Sequence, residues 1–324
     1  MKNKTELSPS IQSFGGQEDG LSIQGASHVK HEKICQDFGG HYRCEDYAVA
    51  VVCDGHGGDV YVRSDRGSKF GVEVAIDAIK EFMSNKQEFL PNLFLSDNKE
   101  VQEKYSSKVI NPLIKSIILR WNDLVVDDLQ QNPFSEDELK DLSGKYQERY
   151  NSDDDDNKIS AYGTTLIAVV YAPEFWFGIR IGDGKCVAIS SDGTIVDPIP
   201  WDEKCFLNRT TSLCDDKAFE NFRQCLSTDN FPAAIYVATD GVDDSFGTDE
   251  RLFDFYKRLT QTLAQAGFEE GKQELKDYLP KLTAQGSGDD ISISGIVDME
   301  AIKTLFLTEE NINNETTKKE EENE

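Results

Sequence analysis

Three apolar stretches of this chain meet an aspartate at one end: VVCDGHGG at 51–58, VATDG at 237–241 and GSGDDIS at 286–292. A fourth acid, Asp183, sits in the tight turn IGDG at 181–184. One Asp-Gly pair is an ordinary turn former, and a turn needing positive φ is a sufficient reading of each taken alone. Together they constrain the fold. If the strands lie side by side, their ends gather Asp54, Asp183, Asp240 and Asp289, and carboxylates packed together repel unless cations or shared protons separate them. Oxygen donors without thiolate or imidazole select hard ions, Mg2+ or Mn2+, over zinc. On this reading Asp54 and the carbonyl of Gly55 hold metal. His56 then becomes a proton donor, since its ordinary pKa lies near neutrality; away from such a site it is a surface residue in a glycine turn.

Six stretches read as strands by their β-branched and aromatic content: 47–54, 164–171, 174–182, 184–190, 233–240 and 290–298. The second and third should form a hairpin, the third and fourth should meet in the Gly-Asp-Gly turn, and the alternation in the last suggests one covered face. Helical periodicity marks 66–83, with Phe70, Val74, Ala75, Ala78, Ile79 and Phe82 on one stripe. Asn111-Pro112 has the look of a helix start, followed by a stripe through Ile114, Ile117, Trp121 and Val125. Further helices are expected at about 249–266 and 269–282. Strands and helices in separate clusters predict an α+β fold with sheets covered by helix layers.

With 34 basic against 60 acidic side chains the net charge is −26. That balance repels phosphate backbones and anionic lipid, so neither nucleic acid nor membrane is an expected partner. The amino terminus lacks a secretory signal, and seven scattered cysteines without a CxxC pair suit neither a disulfide framework nor structural zinc. A cytoplasmic location is expected. Residues 1–19 are expected to be a flexible segment, 20–300 a catalytic domain and 301–324 an acidic disordered tail, since the glutamate-rich end has little to bury. Two stretches read as surface insertions: 135–158, which includes four consecutive aspartates, and an irregular flap at 191–232.

The motifs CQD (35–37), VVCDGHGG (51–58), YGTTL (162–166), IGDG (181–184), VATDGVDD (237–244) and GSGDDIS (286–292) stand in the order found in metal-dependent protein phosphatases of the 2C type. The chain resembles that family over roughly residues 20–298, and its bacterial branch more than its animal one. The resemblance implies an α-β-β-α sandwich, two antiparallel sheets flanked by helix layers, with two Mg2+ or Mn2+ ions in a channel at one edge. By motif position Asp54 bridges both ions, the Gly55 carbonyl binds one, and Asp240 and Asp289 hold the second. Asp37 orients the attacking water, and His56 protonates the leaving oxygen. Asp183, Asp240 and Asp244 match a weaker third metal site. The implied substrate is a phosphoserine or phosphothreonine protein, acting opposite a Ser/Thr kinase, and the protein is expected to be a monomer.

Some positions depart from the family pattern, and residues 98–160 form a larger insertion than in its compact members. No arginine precedes the acid of the CQD motif to clamp phosphate; Lys30 and Lys33 are the basic residues there, and an ammonium cannot bind phosphate in a bidentate way. Gln36 stands where an acid is common, and Asp290 where asparagine is common. Two other readings stay open at this level: a phosphatase-like binding module without turnover, and a phosphatase of small phosphorylated metabolites.

Overall fold

The computed structural model describes residues 6–93, 99–206 and 209–306. The chain begins with β1 (Ile11–Gly15), the single turn α1 (Gly16–Asp19), β2 (Ser22–Ile23) and the short α2 (Ala26–Lys30). The hairpin β3 (Phe38–Arg43) and β4 (Ala48–Cys53) follows, then the helices α3 (Ser64–Ser84), α4 (Lys86–Leu93), α5 (Lys99–Gln131), α6 (Glu136–Leu139) and α7 (Gly144–Tyr150). Next come β5 (Leu166–Tyr171), β6 (Trp176–Ile181), β7 (Lys185–Ser190), β8 (Ile195–Val196), α8 (Ala218–Asn221), β9 (Arg223–Ser227) and β10 (Pro232–Ala238). The turn α9 (Asp240–Asp243), the helices α10 (Asp249–Ala266) and α11 (Phe268–Gln285), and β11 (Ile291–Asp298) complete the order.

The strands form two antiparallel sheets. One has the order β3-β4-β5-β6-β9, the other β1-β11-β10-β7-β8, with β2 also paired to β11. Strand alternation explains why they stack. Ala48, Ala50, Val52, Ile167 and Val169 of the first sheet share a buried cluster with Cys186, Ala188, Ile235, Val237 and Ile296 of the second. The alternate residues Val49, Val51, Leu166, Ala168 and Val170 pack with α3 and α5. Val187, Ile189, Ala234, Tyr236 and Ile293 pack with α10 and α11. Three apolar layers between four layers of structure make the α-β-β-α sandwich that the resemblance implies.

Several expectations change. Residues 6–19 are not a flexible segment: β1 runs along β11 from Ile11 opposite Asp298 to Gly15 opposite Ser294, and Leu7, Ile11 and Phe14 are buried. Residues 301–306 are helical, with Ile302, Leu305 and Phe306 buried, and the rest of the expected tail lies outside the described residues. β5 and β6 do form the expected hairpin, but β6 and β7 do not, because the Gly-Asp-Gly turn carries the chain from one sheet to the other. β11 is covered on both faces, as the central strand between β1 and β10.

From residue 104 on, much of the insertion 98–160 contributes to the core. Ile110, Ile114, Ile117, Trp121 and Val125 of α5 are buried against α3, and the Trp121 indole N–H donates to the Gly67 carbonyl at 2.9 Å. Asn111-Pro112 is no helix start; Pro112 lies inside α5. Within 135–158, Leu139, Leu142 and Tyr150 are buried, and only the aspartate run behaves as a solvated loop, with Asp154 capping a short 3-10 turn. The flap 191–232 contributes β8 and β9 to the two sheets.

Candidate active site

The acids picked out by the sequence come together at one edge of the sandwich, from both sheets. Asp54 follows β4, Asp183 lies in the crossover from β6 to β7, and Asp240 opens α9 directly after β10. Each offers a carboxylate oxygen within 4.8 Å of the other two. Asp37, before β3, and Asp289, in the turn before β11, stand near enough for their charges to act on Asp54 and Asp240 respectively.

Hydrogen bonds fix the backbone that carries these groups. The Asp54 N–H donates to Thr165 Oγ1 at 3.0 Å, while Thr164 Oγ1 and the Thr165 N–H donate to the Asp54 carbonyl, both at 2.8 Å. The YGTTL motif therefore holds the end of β4. Thr239 Oγ1 donates to Asp37 Oδ2 at 2.6 Å and accepts from the Ser292 N–H at 2.9 Å, which joins three of the motifs. The glycines after Asp54 and Asp240 answer to close packing. A Cβ on Gly55 would stand 2.5 Å from the Gln36 carbonyl oxygen, and one on Gly241 would stand 2.0 Å from that of Asp290.

Burial and mutual repulsion raise the acids. Burial pushes Asp54 well above the ordinary carboxylate range, with the charges of Asp240, Asp37 and Asp183 adding to it. Burial raises Asp37 likewise; the Thr239 hydrogen bond opposes this and the charge of Asp290 adds to it. Asp240 rises to about 7, through burial and then the charge of Asp183. Burial also raises Asp183, and it raises Asp244, with the charge of Asp289 adding. Asp243, not singled out in the sequence, rises to about 8 through burial and the charge of Asp240. Asp183 Oδ1 and Asp243 Oδ1 are buried without a hydrogen-bond partner. Oxygen-rich, charge-strained and under-satisfied, this cluster fits hard divalent cations.

Other expected residues are placed differently. Asp244 and Asp289 lie outside the tight set, although both charges act on Asp240. Asp289 is instead close to His28, with Nε2 3.8 Å from its Oδ1. The His56 ring stands edge-on to Tyr61, centroids 4.7 Å apart, and burial lowers it to about 4. Lys30 and Lys33 are exposed, at the end of α2 and in the loop after it. Thr164, Thr165 and Thr239, which the sequence reading did not single out, hold the segments that carry Asp54 and Asp37. Their signal was adjacency: each lies within or beside a quoted motif.

The family model for protein phosphatase 2C matches residues 24–280. The chain belongs to the protein phosphatase 2C family, and it is a metal-dependent Ser/Thr phosphoprotein phosphatase. No curated protein matches it. Solved structures similar to it include the serine/threonine phosphatase Stp1 from Staphylococcus aureus, 16% identical, covering 89% of this chain and 94% of that one, TM-score 0.47. Another is the catalytic domain of the serine threonine protein phosphatase PstP in complex with two manganese ions, 14% identical, covering 89% and 97%, TM-score 0.46. A third is PppA, a regulatory component of T6SS in Pseudomonas aeruginosa, 11% identical, covering 89% and 97%, TM-score 0.48.

Proposed function

We propose that the cleft hydrolyses phosphoserine and phosphothreonine in proteins with two divalent ions, Mg2+ or Mn2+, and a weaker third. The observation that carries this reading is the meeting of Asp54, Asp183 and Asp240 from two sheets within 4.8 Å. Asp54, the Gly55 carbonyl, Asp240 and Asp289 would hold the two ions, and Asp183, Asp240 and Asp244 the third. When bound, such ions make a hydroxide available near neutral pH and neutralise phosphoryl oxygens.

The chain's own groups do the rest. Thr239 occupies Oδ2 of Asp37, which leaves Oδ1 to accept a hydrogen bond from the attacking water and orient it. His56 is lowered to about 4 by burial in the free protein, so it would take up a proton as the phosphate's negative charge comes beside it and give that proton to the leaving oxygen. Lys30 and Lys33 supply positive charge for the phosphate without a bidentate grip.

One chain supplies every one of these groups, which supports action as a monomer. Seven free cysteines suit a reducing compartment, hence the cytoplasm, where the enzyme would reverse the work of a Ser/Thr kinase in signalling. Among the described residues no helix is long and apolar enough to cross a membrane. The catalytic unit we assign is 20–300 together with the packed flanks 6–19 and 301–306.

The test is hydrolysis of a phosphothreonine peptide and of a small phosphate ester in Mn2+, Mg2+ and EDTA, with Asp240→Asn alongside. Peptide turnover that requires metal and is lost in the variant is the expected result. Folded, metal-loaded protein without turnover would overturn the reading, and turnover of the small ester alone would move the substrate class.

A further inference from the structure

His28 is the residue whose setting exceeds what its sequence context suggests. It lies on α2, and its ring stands between two carboxylates: Nδ1 is 3.0 Å from Asp290 Oδ2, and Nε2 is 3.8 Å from Asp289 Oδ1. His28, Asp289 and Asp290 offer ligand atoms that all lie within 4.8 Å of one another, a cluster apart from Asp54, Asp183 and Asp240. Asp290 is buried and fixed, because its Oδ1 accepts from the Gly25 N–H and its Oδ2 from the Gln36 N–H, both at 2.6 Å. The ring is nearly closed off from solvent, and Nδ1 has no in-line hydrogen bond. Asp289, with 55% of its side chain exposed, is open to solvent.

We propose that His28 is a nitrogen ligand to a divalent ion that it shares with Asp289, and that Asp290 holds the ring in place for it. Nδ1 lies against the Asp290 carboxylate, 3.0 Å away, so Nε2, the nitrogen facing Asp289, is the one placed to take a metal ion. Oxygen-seeking Mg2+ gains little from an imidazole, whereas Mn2+ and the later first-row ions gain more. The histidine thereby tilts an otherwise all-oxygen site toward Mn2+. The inference deepens the two-ion reading and depends on it for the presence of a divalent ion.

The experiment is electron spin-echo envelope modulation on the Mn2+-loaded full-length protein, with calorimetric titrations of Mn2+ and Mg2+. Alongside go His28→Gln, which removes the imidazole, and Asp290→Asn, which removes the carboxylate that orients it. Modulation from a coupled nitrogen is expected in the unsubstituted protein and should vanish in His28→Gln. Both variants should bind Mn2+ more weakly, on the order of 10–100-fold, with a smaller change for Mg2+. Bound Mn2+ without nitrogen modulation overturns the inference while leaving metal-dependent turnover intact, and this readout needs no variant to fold. Modulation that survives in His28→Gln overturns it as well. Absence of Mn2+ binding overturns it together with the two-ion reading.

Discussion

A methyl group on Gly55 would meet the carbonyl oxygens of Gln36 and Ser64 at 2.5 and 2.7 Å, and neither is the end of a flexible side chain. Gly55→Ala must therefore shift the backbone that carries Asp54. Overpacking of this kind costs about 1–3 kcal/mol. We expect the substitution to lower unfolding stability by that amount and to weaken Mn2+ binding, read by denaturant titration and calorimetry; unchanged values in both would show that the loop has slack. At this scale the acids were legible and their partners were not. Asp54, Asp183 and Asp240 each sit in an Asp-Gly pair that repetition made conspicuous. Thr239 lies inside a conspicuous motif, but that it positions Asp37 across 202 residues of chain shows only once β10 and the CQD segment are packed together. His28 was passed over for the same reason, since both its acidic neighbours arrive from the far end of the chain.

Among the elements, α5 shows where local signals mislead. Asn111-Pro112 has the chemistry of a helix start, yet the helix runs from Lys99 through Pro112 to Gln131 because its apolar stripe packs beside α3 in the core that covers the first sheet. Burial outweighs a single proline. Trp121 anchors this packing, and Trp121→Ala should cost about 3–5 kcal/mol, as large aromatic truncations in cores do; a loss under 1 kcal/mol by denaturant unfolding would show α5 to be peripheral. The link from α3 to α6 is ionic. Buried Arg63 donates to Glu138 from Nε at 2.7 Å and from Nη2 at 3.1 Å, and also to the Asn132 carbonyl and the Tyr162 hydroxyl. Burial alone would raise Glu138, but the hydrogen bonds from Arg63 and Ser135 outweigh it and bring it down to about 2. A carboxyl lowered on folding stabilises above its unfolded value near 4.5, and that stabilisation is lost as pH falls through about 2. Glu138→Gln should thus lower the melting temperature at pH 7, by an amount corresponding to about 1.5–3 kcal/mol. The gap should close between pH 4.5 and about 2. A gap independent of pH would assign the loss to packing.

For the whole molecule, the site is a seam: β4 brings Asp54 from one sheet, while β10 and the approach to β11 bring Asp240 and Asp289 from the other. Whatever binds there cross-links the two halves of the sandwich. The four-layer architecture was recognisable from ordered motifs, but the sheet membership of each strand was not, because the Gly-Asp-Gly turn that looks like a hairpin is the crossover that places Asp183 at the seam. Without metal, protonation is what would relieve the repulsion at the seam. Asp37, Asp54 and Asp240 are all raised by burial, Asp240 to about 7, so the folded state binds protons that the unfolded chain, near 3.8, has released. The sign is then fixed: this contribution is complete below about 3.8 and is lost as pH rises through about 7. A bound divalent ion takes over the protons' role and adds about 2.7 kcal/mol at a hundredfold excess over its Kd. In EDTA the melting temperature should fall between pH 5.5 and 8, and Mn2+ should restore it most at the upper end. Calorimetry in buffers of different ionisation enthalpy should show protons released on Mn2+ binding near pH 6.5, and fewer released by Asp240→Asn. A metal-free protein whose stability is flat across this range, with no proton release on binding, would mean that the carboxylates are already ionised and that the fold tolerates their repulsion unaided.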